Sequence, residues 1–231
     1  MGQYPPDFDA DTQALCAAVA PFTMTSKYAV YTLRLAVQHI INSQIPGDIV
    51  ECGVWKGGSM MAAAEALRKQ GDLARELFLY DTFEGMTAPG DLDKTWAGEP
   101  AMGLLAVDPD REKNLLWCYS TLETVQQGMQ SVGYPEDRIH YVRGKVEDTI
   151  PATLPGEIAL LRLDTDWYES TRHELLHLFP LVSKGGVLIL DDYGHWQGAR
   201  KAVDEYFEQH PQPILLNRID DTGRIGIKLL G

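Results

Sequence analysis

The chain predicts a doubly wound α/β domain around a mostly parallel sheet, and three observations carry that prediction. The runs Ile158-Ala159-Leu160-Leu161-Arg162-Leu163 and Val187-Leu188-Ile189-Leu190 are nearly unbroken hydrophobic stretches, as strands covered by helices on both faces are. Strand-like and helix-like segments alternate along the chain. A glycine-rich turn, from Gly53 through Gly57-Gly58-Ser59, follows the first strand and opens a helix, the place where such folds receive a ligand. The 231 residues suit a single domain spanning 1–231, since no linker composition divides them.

The elements follow in order. The first dozen residues, rich in Pro and Asp, read as mobile. Val30, Leu33, Val37, Ile40 and Ile41 recur at helical spacing and predict a helix over 26–44; Pro46-Gly47 ends it and closes an N-terminal helical extension of 1–47. Residues 48–53 read as the first strand and 59–68 as an alanine-rich helix. A second strand, Leu77-Phe78-Leu79-Tyr80, ends at Asp81. A helix near 122–132 precedes a third strand, Ile139-His140-Tyr141-Val142, which ends near Gly144. Two acid-ended strands come next, then a helix over 197–209. Ile214-Leu215-Leu216 and residues 225–230 read as closing strands around the turn Asp220-Asp221-Thr222-Gly223, placing an antiparallel strand at or near the sheet edge. Residues 86–111 break the pattern with Pro89, Gly90, Asp91, Asp93, Trp96, Gly98, Pro100, Gly103 and Pro109, and read as a lid over a substrate.

Composition narrows the partners. A formal net charge of -13 leaves no basic footprint for nucleic acid or anionic lipid. No stretch is long and apolar enough to span a bilayer, and Met1-Gly2-Gln3-Tyr4-Pro5-Pro6 has neither a basic n-region nor the Ser or Thr that myristoylation wants. Cys16, Cys52 and Cys118 are scattered and odd in number, which fits a reduced, cytoplasmic setting. A small molecule is the expected partner.

Chemistry concentrates at strand ends. Leu163-Asp164-Thr165-Asp166 finishes one apolar run and Asp191-Asp192 finishes the next. Carboxylates gathered beyond the carboxyl ends of neighbouring parallel strands repel one another. A hard divalent cation such as Mg²⁺ relieves that repulsion, with Asp164, Asp191 and Asp192 as its ligands. Asp166, three residues before Glu169, also fits a capping box. In the glycine turn Trp55 stands where a dinucleotide fingerprint needs its second glycine, so the loop suits a nucleoside cofactor without a pyrophosphate, and Asp81 is placed to accept hydrogen bonds from ribose hydroxyls. His195 and Trp196 fall at the rim of the site and are expected to touch substrate. His173-Glu174-Leu175-Leu176-His177 matches the H-E-x-x-H zinc motif but lies on a Leu-rich crossover helix away from the acids, and reads as a chance match.

Taken together, the blocks Val50-Glu51-Cys52-Gly53-Val54 with Gly57-Gly58-Ser59, Tyr80-Asp81-Thr82-Phe83-Glu84-Gly85-Met86, Leu163-Asp164-Thr165-Asp166-Trp167-Tyr168-Glu169-Ser170-Thr171 and Gly185-Gly186 through Asp191-Asp192-Tyr193-Gly194 resemble the macrocin O-methyltransferase (TylF-type) family of S-adenosylmethionine- and Mg²⁺-dependent enzymes. The resemblance implies a Rossmann-like fold of the class I methyltransferase type, a homo-oligomer, and methylation of a hydroxyl on a small natural product, often a sugar of an antibiotic. It also implies Asp164, Asp191 and Asp192 as Mg²⁺ ligands and Asp166 as the base. The implied S-adenosylmethionine cleft takes in Met24, Thr25, Glu51, Gly53, Ser59, Asp81, Gly144, Val146 and Asp164. Related catechol-type methyltransferases use a lysine where this chain has Trp167. The competing expectations are a Rossmann-like cofactor-binding module that does not catalyse, and a nicotinamide-dependent oxidoreductase, which Trp55 disfavours.

Overall fold

Five apolar segments pair in parallel: β1 (Asp48–Cys52), β2 (Leu77–Asp81), β3 (Ile139–Arg143), β4 (Ile158–Leu163) and β5 (Val182–Leu190). The computed structural model, which describes residues 4–108 and 110–230, completes a seven-stranded sheet with β6 (Asn217–Arg218) and β7 (Arg224–Ile227). The order is β3-β2-β1-β4-β5-β7-β6, with β7 antiparallel to both of its neighbours. Expectations touching Met1, Gly2, Gln3 and Pro109 lie outside the described residues.

Every residue of β4 is buried, which explains its unbroken apolar run. Helices α1 (Ala10–Val19), α2 (Lys27–Asn42), α3 (Gly58–Gln70) and α5 (Leu122–Val132) cover one face of the sheet. A short α4 (Ala101–Ala106) lies in the 86–111 stretch, and α6 (Val146–Thr149), α7 (Tyr168–Leu178) and α8 (Gln197–Gln209) cover the other face. Leu160, facing the first layer, and Leu161, facing the second, are both fully buried, and truncating either to Ala costs about 2–5 kcal/mol.

Winding reverses between β1 and β4. Successive strands run outward from β1 to β3, then the chain returns to lay β4 on the other side of β1, opening a crevice at the carboxyl ends. Backbone bonds knit those ends together: Gly53 N–H donates to Tyr80 O (2.9 Å), Asp164 N–H to Cys52 O (2.9 Å) and Asp191 N–H to Leu163 O (3.0 Å). Three strand termini therefore hold their acids in fixed register.

The fold departs from expectation in four places, the first being that the strand expected over 225–230 ends at Ile227. The N-terminal segment is not mobile from Phe8 onward: Phe8 is buried and stacks on Tyr31 with ring centroids 4.5 Å apart, and Asp9 caps α1 by accepting from Thr12 N–H at 2.7 Å. Ile214-Leu215-Leu216 is not a strand. Its outer two side chains pack into the core beside Gly226 while its backbone stays outside the ladder, and pairing begins only at Asn217. Residues 86–111 carry α4 and two isolated bridges, Lys94 with Pro100 and Thr95 with Trp196. Among the described residues no helix is long and apolar enough to cross a membrane, and Cys16, Cys52 and Cys118 are free thiols.

Candidate active site at the strand ends

One oxygen from each of Asp164, Asp191 and Asp192 lies within 4.8 Å of the others, the single such acidic group among the described residues. Asp164 follows β4, and the other two follow β5. Beneath them sits Arg162, which the sequence presents as a lone charge inside an apolar strand. Its buried guanidinium donates to Glu51 Oε1 (2.5 Å), Asp164 Oδ2 (2.6 Å), Asp191 Oδ1 (2.7 Å) and Thr25 Oγ1 (3.0 Å).

Asp166 faces the same cleft. A left-handed backbone, φ 66°, turns it out of the helix path, and its side chain does not cap α7. Its N–H donates to Asp192 Oδ2 (3.1 Å) and its Oδ1 accepts from the Trp196 indole N–H (2.5 Å). The capping-box expectation fails because Trp167 holds the cap position and the Tyr168 N–H is served by Asp93, a residue 75 positions earlier, at 2.8 Å.

Charge is unbalanced here. Glu51, Asp164, Asp166, Asp191 and Asp192 share one guanidinium among five carboxyl groups. Burial, reinforced by the neighbouring acids, holds Asp164 and Asp192 well above the ordinary carboxylate range. Burial first, and then the charge of Asp164, lifts Asp166 to about 7. Glu51 is also lifted by burial to about 7 against the pull of Arg162, and its Oε2 is buried with no hydrogen-bond partner. Oxygen donors with surplus negative charge are the donor set that a hard divalent cation takes.

The glycine-turn end is built differently. Asp81 Oδ2 accepts from the N–H groups of Val54 (2.7 Å) and Trp55 (3.0 Å), and Oδ1 accepts from Phe83 N–H (2.7 Å); the Thr82 hydroxyl, 3.4 Å from Oδ1, donates its proton to the Gly85 carbonyl at 2.7 Å. Burial raises this carboxyl while the backbone donors pull it down. The glycines there serve the chain itself: a Cβ on Gly53, φ 80°, would fall 1.9 Å from the Asp164 carbonyl oxygen, and one on Gly58 would fall 2.6 Å from that of Phe22.

Between the two ends runs one cleft of about 450 Å³. It brings together the residues expected to hold cofactor, metal, base and substrate: Met24 and Thr25 before α2, Glu51 and Gly53 at β1, Ser59 on α3, Asp81 at the end of β2, Gly144 and Val146 after β3, then Asp164, Asp166, Asp191, Asp192, His195 and Trp196, whereas Gly57 and Gly58 of the glycine turn do not line it. Burial lowers the His195 pKa, favouring the neutral imidazole. Leu115, Leu116 and Cys118 also line the cleft without any motif to announce them. His173 and His177 engage the carbonyls of Ile150 and His173 at 2.9 Å each, and the buried Glu174 accepts from the Thr165 hydroxyl at 2.9 Å, so the H-E-x-x-H residues serve packing.

Comparison with known proteins places this geometry. The profile of the macrocin O-methyltransferase (TylF) family matches residues 6–225. An 8-demethyl-8-(2,3-dimethoxy-alpha-L-rhamnosyl)-tetracenomycin-C 4'-O-methyltransferase of Streptomyces olivaceus is 34% identical over 205 residues, covering 87% of this chain and 73% of the relative. Demethyldecarbamoylnovobiocin O-methyltransferase of Streptomyces niveus is 32% identical, over 80% of this chain and 67% of that one. The solved O-methyltransferase NovP superposes with a TM-score of 0.77 at 29% identity, covering 90% of this chain and 83% of its own. The calicheamicin methyltransferase CalS11, at 18% identity and TM-score 0.62 over 98% of this chain and 94% of its own, shares the fold. This chain belongs to the macrocin O-methyltransferase (TylF) family and is an O-methyltransferase.

Proposed function

We propose that the protein transfers a methyl group from S-adenosylmethionine to a hydroxyl on a sugar or other moiety of a small natural product, with a divalent cation, Mg²⁺, held by Asp164, Asp191 and Asp192. The observation that carries this reading is the convergence of those three carboxylates and Asp166 on one cleft that also contains the glycine turn. The names of the relatives, natural-product O-methyltransferases, support the substrate class.

The residues present fit both groups. The unpartnered, buried Glu51 oxygen offers an anionic acceptor to the cationic amino acid end of the cofactor, beside Met24, Thr25, Gly53, Ser59, Gly144 and Val146. Asp81 acts first by fixing the loop through three backbone N–H groups, and its Oδ1 keeps acceptor capacity for a ribose hydroxyl, because the Thr82 hydroxyl gives its one proton to the Gly85 carbonyl. The cofactor supplies an activated methyl group. When bound, the cation supplies Lewis acidity that eases loss of the acceptor hydroxyl proton.

This chain's own residues do the rest. Asp166 takes the proton: without the cation, burial and the charge of Asp164 raise its carboxyl, and a cation held by the neighbouring aspartates would draw it back toward the carboxylate form that a base requires. The Trp196 indole fixes the orientation of Asp166 through Oδ1. Trp167, buried, leaves no lysine at that position. Residues 86–111, of which Met86 and Thr87 line the cleft, serve as the lid that keeps water from the acceptor. The reading extends to a homo-oligomer in a reducing cytoplasm, which sedimentation of the purified protein tests for assembly.

The test uses labelled S-adenosylmethionine and a panel of glycosides carrying free hydroxyls. EDTA abolishes transfer and Mg²⁺ restores it; transfer indifferent to chelation removes the cation from the mechanism. In calorimetry S-adenosylhomocysteine binds and NAD does not. Binding of S-adenosylhomocysteine with no transfer to any acceptor, cation present, would support a module that does not catalyse.

A further inference from the structure

We propose that Asp93 is a positioning residue for methyl transfer: its carboxylate latches residues 87–101 onto the first turns of α7 and α8 and so fixes Trp196 against Asp166. The proposal rests on the reading of Asp166 as the base.

A buried acid in a surface loop needs a reason, because removing a carboxylate from water is costly unless donors compensate. Asp93 is 3% exposed, and among the described residues no cationic side chain pairs with it. Its partners are backbone groups of separate segments. Oδ1 accepts from Tyr168 N–H at the start of α7 (2.8 Å), Oδ2 from Gly90 N–H (2.7 Å), and its carbonyl from Ala101 N–H at the start of α4 (2.9 Å). The first turn of α8 closes over the same carboxylate, since a Cβ on Gly198 would lie 2.0 Å from Oδ1. One residue thus joins the lid, α4, α7 and α8 at a common point: its carboxylate bonds Gly90 and Tyr168 and packs under Gly198, and its main-chain carbonyl bonds α4.

The contacts next to Asp93 lead to the base. Gln197 N–H donates to Lys94 O (2.8 Å), Thr95 bridges Trp196, and the Trp167 indole N–H donates to Thr87 O (3.1 Å). Trp167 and Trp196 meet edge to face at 5.0 Å in a small apolar cluster with Ala101, Leu105 and Ala199. Trp196 then donates its indole N–H to Asp166 Oδ1 at 2.5 Å. Asp93 itself does not line the cleft, so it acts through these neighbours.

Three variants of the full chain test the latch. Asp93→Ala removes both acceptors; Asp93→Asn keeps one for Tyr168; Gly198→Ala leaves Asp93 in place and fills its space. Expected for Asp93→Ala is a fall in kcat of about ten- to a hundredfold, the scale of a small misplacement of a reacting group, with S-adenosylhomocysteine affinity unchanged. Hydrogen exchange quickens over 87–101 and at 196–198, Asp93→Asn recovers part of the turnover, and Gly198→Ala reproduces the Ala phenotype. Turnover at the parent level in Asp93→Ala or in Gly198→Ala overturns the proposal, as does unaltered exchange over 87–101. Cofactor affinity that falls in step with turnover also overturns it, because that marks a general structural role. Asp166→Asn is measured alongside: parent-level turnover there refutes the base assignment, while quickened exchange in Asp93→Ala still establishes the latch itself.

Discussion

The two ends of the cleft use the same residue type, aspartate at a parallel strand terminus, to opposite effect. At the β2 end Asp81 meets three backbone N–H donors, and its charge is answered within the protein. At the β4 and β5 ends four aspartates, with Glu51 behind them, lean on one guanidinium and a few single donors. The difference teaches that a strand-end acid is a structural anchor or a ligand-seeking group according to its donor count, not its place in the fold. It also separates their expected failures: losing Asp81 harms the scaffold and the cofactor contact it carries, whereas losing an acid of the other end harms cation binding and chemistry.

The largest effect expected from that contrast is kinetic. Asp166→Asn should lower kcat by about a hundred- to ten-thousandfold while S-adenosylhomocysteine binds as before; calorimetry beside steady-state assays measures both. Arg162→Met comes next, because it leaves buried carboxylates with no internal cation. Urea unfolding should show a loss of about 3–5 kcal/mol, part of which added Mg²⁺ returns. Asp81→Ala should cost about 1–3 kcal/mol by orphaning backbone donors, and here added Mg²⁺ should return nothing. Equal rescue of both variants would erase the distinction between the two ends.

The smallest expected effect is on pH. Burial holds Asp164 and Asp192 above the usual range and Asp166 at about 7, so protons compete with the cation at low pH. Cation affinity should therefore rise with pH through neutrality, by about tenfold per unit for each proton released, as calorimetry in buffers of different ionisation enthalpy reads directly.

Much of this was legible in the sequence because parallel strands write themselves as apolar runs and the acids that end them stand out. The helix over 197–209 was read at its observed bounds. What escaped depends on contacts between distant segments. Asp93 serves Tyr168 from 75 positions away, and nothing local distinguishes it from Asp91, its exposed neighbour. Arg162 carried a signal, a charge inside a fully buried strand, but its meaning required the partners on β1 and β5. Helix α1 was missed because its buried face is narrow: four residues, Thr12, Leu15, Cys16 and Val19, in a segment of mostly small or polar side chains. Ile214-Leu215-Leu216 alternates half-buried and exposed as a strand would, yet packs without pairing.

The central claim, that the β4 and β5 end of the cleft is a cation site while the β2 end is not, is tested most directly by titrating Mn²⁺ into the S-adenosylhomocysteine-loaded protein and counting bound metal by electron paramagnetic resonance. One ion per chain in the parent protein, absent from Asp191→Asn and present in Asp81→Asn, is the predicted result. No bound ion in the parent, or an ion that survives Asp191→Asn, would contradict it.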